Sequence, residues 1–242
     1  WNVANVVQFA GGRFIAGGDA QGSPSAPVLL TSSDGAQWSA ASLTLPSSID
    51  RSTLQVHHLA FGNNRYVALG YSGYTPVVLT SSDGTNWTGR VLEEVGSFTL
   101  HSLVFGNGRF LAASNTQVWT SPDGTTWTEH AVAGLGWNYL QRVVFANGRF
   151  VGALNTGAIA TSTDGITWSV GPTVCSSGGP RLYVLGDTVV GICGTEAFTS
   201  NDGGSSWSAL PGFPGYQIAA IAGTSGRWVA LSQAGSILTY TP

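Results

Sequence analysis

The sequence predicts an all-β fold: a six-bladed β-propeller of four-stranded antiparallel blades, its ring closed by the N-terminal strand. Two repeated elements carry that prediction. A Ser-x-Asp-Gly turn running into a Trp occurs five times, with Asp34, Asp83, Asp123, Asp164 and Asp202 spaced 49, 40, 41 and 38 residues apart. Between these turns recurs an apolar run ending in Phe, a Gly/Asn turn and an Arg followed by an aromatic ring, as in Phe105-Gly106-Asn107-Gly108-Arg109-Phe110. A fixed period near 40 residues marks propellers and solenoids, and Asn-Gly between apolar segments marks a tight hairpin because both central residues tolerate positive φ. Strand-length apolar runs without helical periodicity leave β-blades as the repeating unit.

The third blade can be read whole, with strands expected over residues 100–105, 109–114, 117–121 and 127–132. The remaining blades follow at the same period. The expected single domain, 1–242, divides into blades at about 4–42, 54–92, 99–132, 139–171, 180–210 and 216–242, the last completed by residues 1–3. In the sixth, Gly226-Arg227-Trp228 repeats the hairpin but no Asp turn follows Tyr240. Counting from Trp207 through residue 242 round to Trp1 gives 36 residues, about one repeat. Trp1-Asn2-Val3 is therefore expected to supply the missing outer strand and hide an open sheet edge.

The five turns resemble Asp-boxes, the Ser-x-Asp-x-Gly-x-Thr-Trp motif of sialidases and other BNR-repeat propellers. Residues Ser200-Asn201-Asp202-Gly203-Gly204-Ser205-Ser206-Trp207 match its full length, and the other four turns are one residue shorter. The resemblance covers essentially the whole chain and implies the propeller fold. It implies little about function, because these turns lie on the rim away from the usual ligand face in hydrolases, lectin-like binders, receptors and assembly factors alike.

Composition narrows the function classes. Twelve acidic residues stand against nine basic ones, all Arg, for a net charge of −3, and only 9% of residues are charged. A nucleic-acid groove needs a basic stripe, and none is present. The apolar runs fall far short of the ~20 residues that span a bilayer, so no membrane insertion is expected. A start at Trp1 without a signal-type pattern reads as a trimmed, secreted chain, extracellular or periplasmic. Cys175 falls in the loop entering blade five and Cys193 at the end of that blade's second strand; a bridge suits an oxidising compartment, and two buried thiols are the alternative. No cofactor motif is present, and none is expected.

Repeated polar residues are assigned to structure first. The turn aspartates accept backbone N–H groups within their own turns, and Arg13, Arg65, Arg109, Arg149 and Arg227 are expected to pair with them across the same face. The opposite face, made of loops 19–26, 45–54, 70–76, 93–98, 134–139, 172–180 and 211–216, is mostly aromatic and uncharged. Tyr71, Tyr74, Trp137, Tyr139 and Tyr216 are its candidate ligand platforms, with capping of blade interfaces as the alternative for Trp137, Tyr139 and Tyr216. Counting four residues back from each Phe9 equivalent gives Asn5, His57, His101, Gln141, Arg181 and Gln217, one polar residue per blade. These six are expected at the channel mouth, as a water-filled polar lining, a ligand funnel, or a metal site at His57, His101 and Gln141 that lacks carboxylate or thiolate support. His58 and Arg142, one residue on, are expected to face the neighbouring side, Arg142 remaining a candidate ligand contact.

The expected function is a secreted or surface binding module for a glycan or another neutral polar ligand. The alternative is a polysaccharide-active hydrolase or lyase on the same face, its catalytic residues unassigned. The Arg-Ile-Pro motif of sialidases is absent. A lyase would use His57 or His101 as base with Arg181 neutralising a uronate. A hydrolase would need two carboxyl groups about 5 to 10 Å apart, so it stands or falls on whether Asp19, Asp50 and Glu94 converge. Oligomeric state is left open.

Overall fold

The computed structural model describes residues 4–20, 26, 28–95, 99–176, 178–210, 216–224 and 226–241. The fold is the all-β six-bladed propeller class with four-stranded antiparallel blades. Blade 1 holds β1 (Ala4–Ala10), β2 (Arg13–Gly18), β3 (Leu29–Ser32) and β4 (Ser39–Ala40), paired in that order. The chain then forms β5 (Ser42–Thr44) before blade 2, which consists of β6 (Leu54–Gly62), β7 (Arg65–Ser72), β8 (Thr75–Ser81) and β9 (Asn86–Val91). Blade 3 is β10 (Ser102–Gly106), β11 (Arg109–Ala113), β12 (Gln117–Ser121) and β13 (Thr128–Ala131). Blade 4 is β14 (Leu140–Ala146), β15 (Arg149–Leu154), β16 (Ala158–Ser162) and β17 (Ser169–Thr173). Blade 5 is β18 (Arg181–Leu185), β19 (Thr188–Cys193), β20 (Glu196–Ser200) and β21 (Ser208–Ala209), and blade 6 contributes β22 (Ile218–Thr224), β23 (Arg227–Ser232) and β24 (Ile237–Tyr240). The expected closing strand, Trp1 to Val3, lies outside the described residues.

Packing divides the chain into two compact units, residues 1–112 with 119–130, and residues 113–118 with 131–242. Middle strands in each are covered on both faces, so they read as continuous apolar runs instead of alternating ones; Phe110, Leu111, Ala112 and Ala113 of β11 are all buried. In the first unit, Ile15 and Leu29 meet Val56, Tyr66 and Trp87 between blades 1 and 2, and Val67 and Leu69 meet Leu103, Phe110 and Trp119 between blades 2 and 3. In the second, Val151 and Ile159 meet Leu182 and Val189, and Val190 and Ile192 meet Ile218 and Trp228.

The five Ser-x-Asp-Gly turns share one bonding scheme. In the second, Ser81 Oγ donates to Asp83 Oδ1 at 3.0 Å, and that oxygen accepts the backbone N–H groups of Thr85 and Asn86, both at 2.8 Å. The expected Arg–Asp pairing gives way to something else. Arg13 donates to Thr31 Oγ1 and Arg149 to Ser205 Oγ, each at 3.3 Å, while their stems lie against Gly84 and Gly203 of the next blade's turn. In each turn one carboxylate oxygen collects the serine hydroxyl and two backbone N–H groups of its own turn, and Arg13 and Arg149 reach the next blade's turn through their methylenes. Blades are stitched instead by asparagine. Asn63 Nδ2 donates to the carbonyls of Gly108 and Pro122, and Asn147 Nδ2 to those of Asp187 and Asn201.

The segment leaving one blade also straps the outer edge of the next. β5 runs parallel to β9, giving blade 2 a fifth strand. At the equivalent place after blade 3, Ala133 bridges Thr167 in parallel, and Gly134, at φ +90°, lies so close to the Trp168 carbonyl that a Cβ would collide with it.

Candidate functional site

Inner strands start with an irregularity that sets up the site. In β1 the register slips between Ala4 and Val6, in β6 between Val56 and His58, and in β14 between Leu140 and Arg142. Asn5, His57 and Gln141 are therefore the extra, unpaired residues of three β-bulges, the kind of distortion that re-aims a side chain. Gly70, which pairs with Val56, accommodates the bulge: a Cβ there would fall 1.7 Å from the Gln55 carbonyl oxygen.

The same registers correct the six-residue alignment. Leu185 pairs with Thr188 and Thr224 with Arg227, as Ala10 pairs with Arg13. Arg181 is thus the equivalent of Val6, His58 and Arg142, and the equivalent of Asn5 in blade 6 is Ala219, two residues beyond Gln217. Arg181 is spent on structure, its guanidinium donating to the carbonyls of Ala219 (3.2 Å) and Ile218. Its register mates also reach across to the next blade. His58 Nε2 lies 3.3 Å from the Leu100 carbonyl, and the Arg142 guanidinium sits 5.8 Å from the centre of the Tyr183 ring.

Asn5, His57 and His101 come together in the first unit. They line a cavity of about 440 Å³ with His58, Tyr71, Thr99 and Leu100. Asn5 Nδ2 donates to Asp19 Oδ1 (2.6 Å) and to the Val56 carbonyl (3.2 Å). His57 Nε2 lies 3.2 Å from Gln55 Oε1, and its ring meets Tyr71 edge-on at 6.0 Å. Tyr71 Oη accepts the Leu100 N–H at 2.7 Å, and burial pushes the phenol above its ordinary value, so it stays neutral. His58, expected to face the neighbouring side, reaches the Leu100 carbonyl of the next blade and also lines the cavity, while Thr99 and Leu100 have no signal in a count that selects one residue per blade.

Apart from Tyr71, the remaining candidates are dispersed. Tyr71 lies in β7, and Tyr74 occupies the two-residue turn to β8, so the loop expected over 70–76 is largely strand. Tyr74 and Trp137 are fully exposed, at 99% and 101%, and Tyr216 is 42% exposed. Trp137 therefore caps no interface. It stands on a bonded loop in which Asn138 N and Nδ2 both donate to the Leu135 carbonyl, and Tyr139 N donates to Asn155 Oδ1. Gln141 Oε1 accepts the Gly179 N–H.

The three acids on which a hydrolase depended serve separate local structures. Asp19 holds Asn5; Asp50 caps the turn Arg51–Thr53 through Ser52, whose hydroxyl and N–H lower its pKa; Glu94 pairs with Arg90 at 3.0 Å. Among the described residues no three His, Cys, Asp or Glu side chains converge to hold a metal ion. Cys175 and Cys193 form a disulfide with Cα atoms 5.5 Å apart. No helix among the described residues is long and apolar enough to cross a membrane. The bridge is compatible with an extracellular or periplasmic protein.

No protein-family model matches the chain, and no curated protein matches it. Solved structures do. YCF48 from Cyanidioschyzon merolae is similar at 20% identity and TM-score 0.67, over 98% of this chain and 81% of that one. YCF48 bound to D1 peptide is similar at 18% identity and TM-score 0.51, over 99% and 92%. Virginiamycin B lyase from Staphylococcus aureus is similar at 12% identity and TM-score 0.67, over 99% and 84%. At these identities the likeness concerns the fold, and it places the chain among the six-bladed β-propellers.

Proposed function

We propose that the chain is a secreted binding module, not a catalyst, and that the cavity of its first unit holds a polar segment of a polypeptide. One observation carries this reading: Asn5 and His57, each at a β-bulge, line one cavity with His101, which directly precedes β10, whereas Asp19, Asp50 and Glu94 are each bound into a different piece of local structure. Imidazole, amide and hydroxyl groups beside the Tyr71 ring and Leu100 suit a ligand with alternating polar and apolar groups. Peptide is favoured as the ligand because one of the similar propellers was solved holding a peptide. A uronate lyase would need a free guanidinium, and Arg181 is occupied by two carbonyls. The five Ser-x-Asp-Gly turns are best read as Asp-boxes of the BNR type, serving structure on the hairpin rim.

A glycan remains the second reading, carried by the full exposure of Trp137 and Tyr74, since flat aromatic faces stack on sugar rings. The test is a peptide array run beside a glycan array, with each hit titrated by calorimetry against the parent chain and His101→Ala. Peptide hits weakened at least tenfold by His101→Ala support the proposal. Hits on glycans alone, or peptide affinities unmoved by the substitution, overturn it.

A further inference from the structure

We infer that the group taken into this cavity is cationic, the ammonium or guanidinium of a basic peptide side chain. The inference rests on the cavity being the ligand site and comes from counting which hydrogen-bonding atoms the protein has already used. Gln55 Oε1 can only accept, so His57 donates through Nε2 and keeps the lone pair on Nδ1. Asn5 spends its amide hydrogens on Asp19 and the Val56 carbonyl, which leaves its Oδ1 as the group for a ligand. His101 has no hydrogen-bond partner among the described residues and adopts whichever tautomer a ligand requires. What His57 and Asn5 offer a ligand is therefore lone pairs.

Charge points the same way. The Asp19 carboxylate stands 2.6 Å from the Asn5 amide, and the lining contains no Arg. The strands packed on β6 are β1, β2, β7 and β10. Their arginines, Arg13 and Arg65, sit at the hairpin ends, away from His57, which lies near the start of β6. The other titratable groups around His57 are His58, His101 and neutral Tyr71, with Asp50 and Arg51 on the turn against β7. A donor-rich cation bound to these acceptor atoms gains charge-assisted hydrogen bonds.

The chain has four histidines, so their imidazole C–H signals can be followed by proton NMR and assigned with His57→Gln and His101→Gln. The probes are Nα-acetyl-lysinamide, its Nε-acetylated neutral analogue, and acetate. The lysine probe is expected to shift the His57 and His101 signals, with the neutral analogue at least tenfold weaker. A response to acetate, or equal responses to both lysine derivatives, overturns the cationic class while leaving the cavity as the site. Absence of any response from a chain whose peptide hits are still weakened by His101→Ala also overturns the cationic class. If His101→Ala leaves the peptide hits unaltered, the underlying reading fails instead.

Discussion

Asn147 shows how much one side chain does in this fold. At φ +51° it occupies the left-handed region that the hairpin needs, and its amide donates at 2.9 and 3.1 Å to the carbonyls of Asp187 and Asn201 in the next blade. Two substitutions separate these roles. Asn147→Gly keeps the backbone and loses both bonds, an expected cost of about 1 to 2 kcal/mol. Asn147→Ala adds left-handed strain of roughly 1 kcal/mol, so its melting temperature should lie about 2 to 4 °C below that of the Gly variant. Equal melting temperatures for Asn147→Gly and the parent would show the stitch to be idle. The turn was legible from Asn-Gly alone, because φ is a local property. Its partners, 40 and 54 residues away, were not. Arg181 and Gln217 were misplaced for a related reason: the apolar residues Leu185 and Ile221 imitate Phe9 in sequence, and only strand pairing reveals which residue faces which.

The straps act at the scale of the element. Ala133 N donates to the Ile166 carbonyl and Trp168 N to the Ala133 carbonyl, so the segment after blade 3 holds the outer edge of blade 4. Pairing that edge removes unsatisfied backbone groups that another chain could otherwise recruit. Gly134 and Gly136 both have positive φ, yet only Gly134 lies against backbone; a Cβ on Gly136 would meet nothing within 4 Å. Gly134→Ala should therefore release the strap and cost clearly more than Gly136→Ala, which pays for backbone conformation alone, about 1 kcal/mol. Hydrogen exchange at Trp168 N–H is the direct readout, faster in the first variant and unchanged in the second. Equal exchange in both would mean that the edge needs no strap. In the sequence this stretch looks like a ligand loop, since Gly, Trp and Asn are what such loops contain. Burial of Leu135 and the parallel bridge at Ala133 belong to tertiary pairing that no local pattern encodes.

For the molecule as a whole, the repeat that made the fold legible also sets its response to acid. All five turn aspartates have lowered pKa values, Asp34, Asp83 and Asp123 in the first unit and Asp164 and Asp202 in the second. For Asp202 the Ser206 hydroxyl leads, followed by the Ser206 N–H, and together with Ser200 and Ser205 they bring the value to about 2. For Asp123 and Asp164 burial opposes the charge and is outweighed by donors in their own turns. The unfolded chain would titrate each of them near 3.9. Because the folded values are the lower ones, the stabilisation is complete above about pH 4 and disappears as pH falls through the folded values. Unfolding between about pH 4 and pH 2 should thus take up as many as five protons from these turns, in both units together. Urea midpoints measured across that range should fall steeply, whereas these groups contribute no slope between pH 5 and 8. Asp202→Asn removes one titrating site, so proton uptake on unfolding should drop by up to one while the other four turns continue to respond. A midpoint that stays level from pH 5 to pH 2 would show that the turns do not couple acid to unfolding, and an unchanged slope in Asp202→Asn would remove Asp202 from the set.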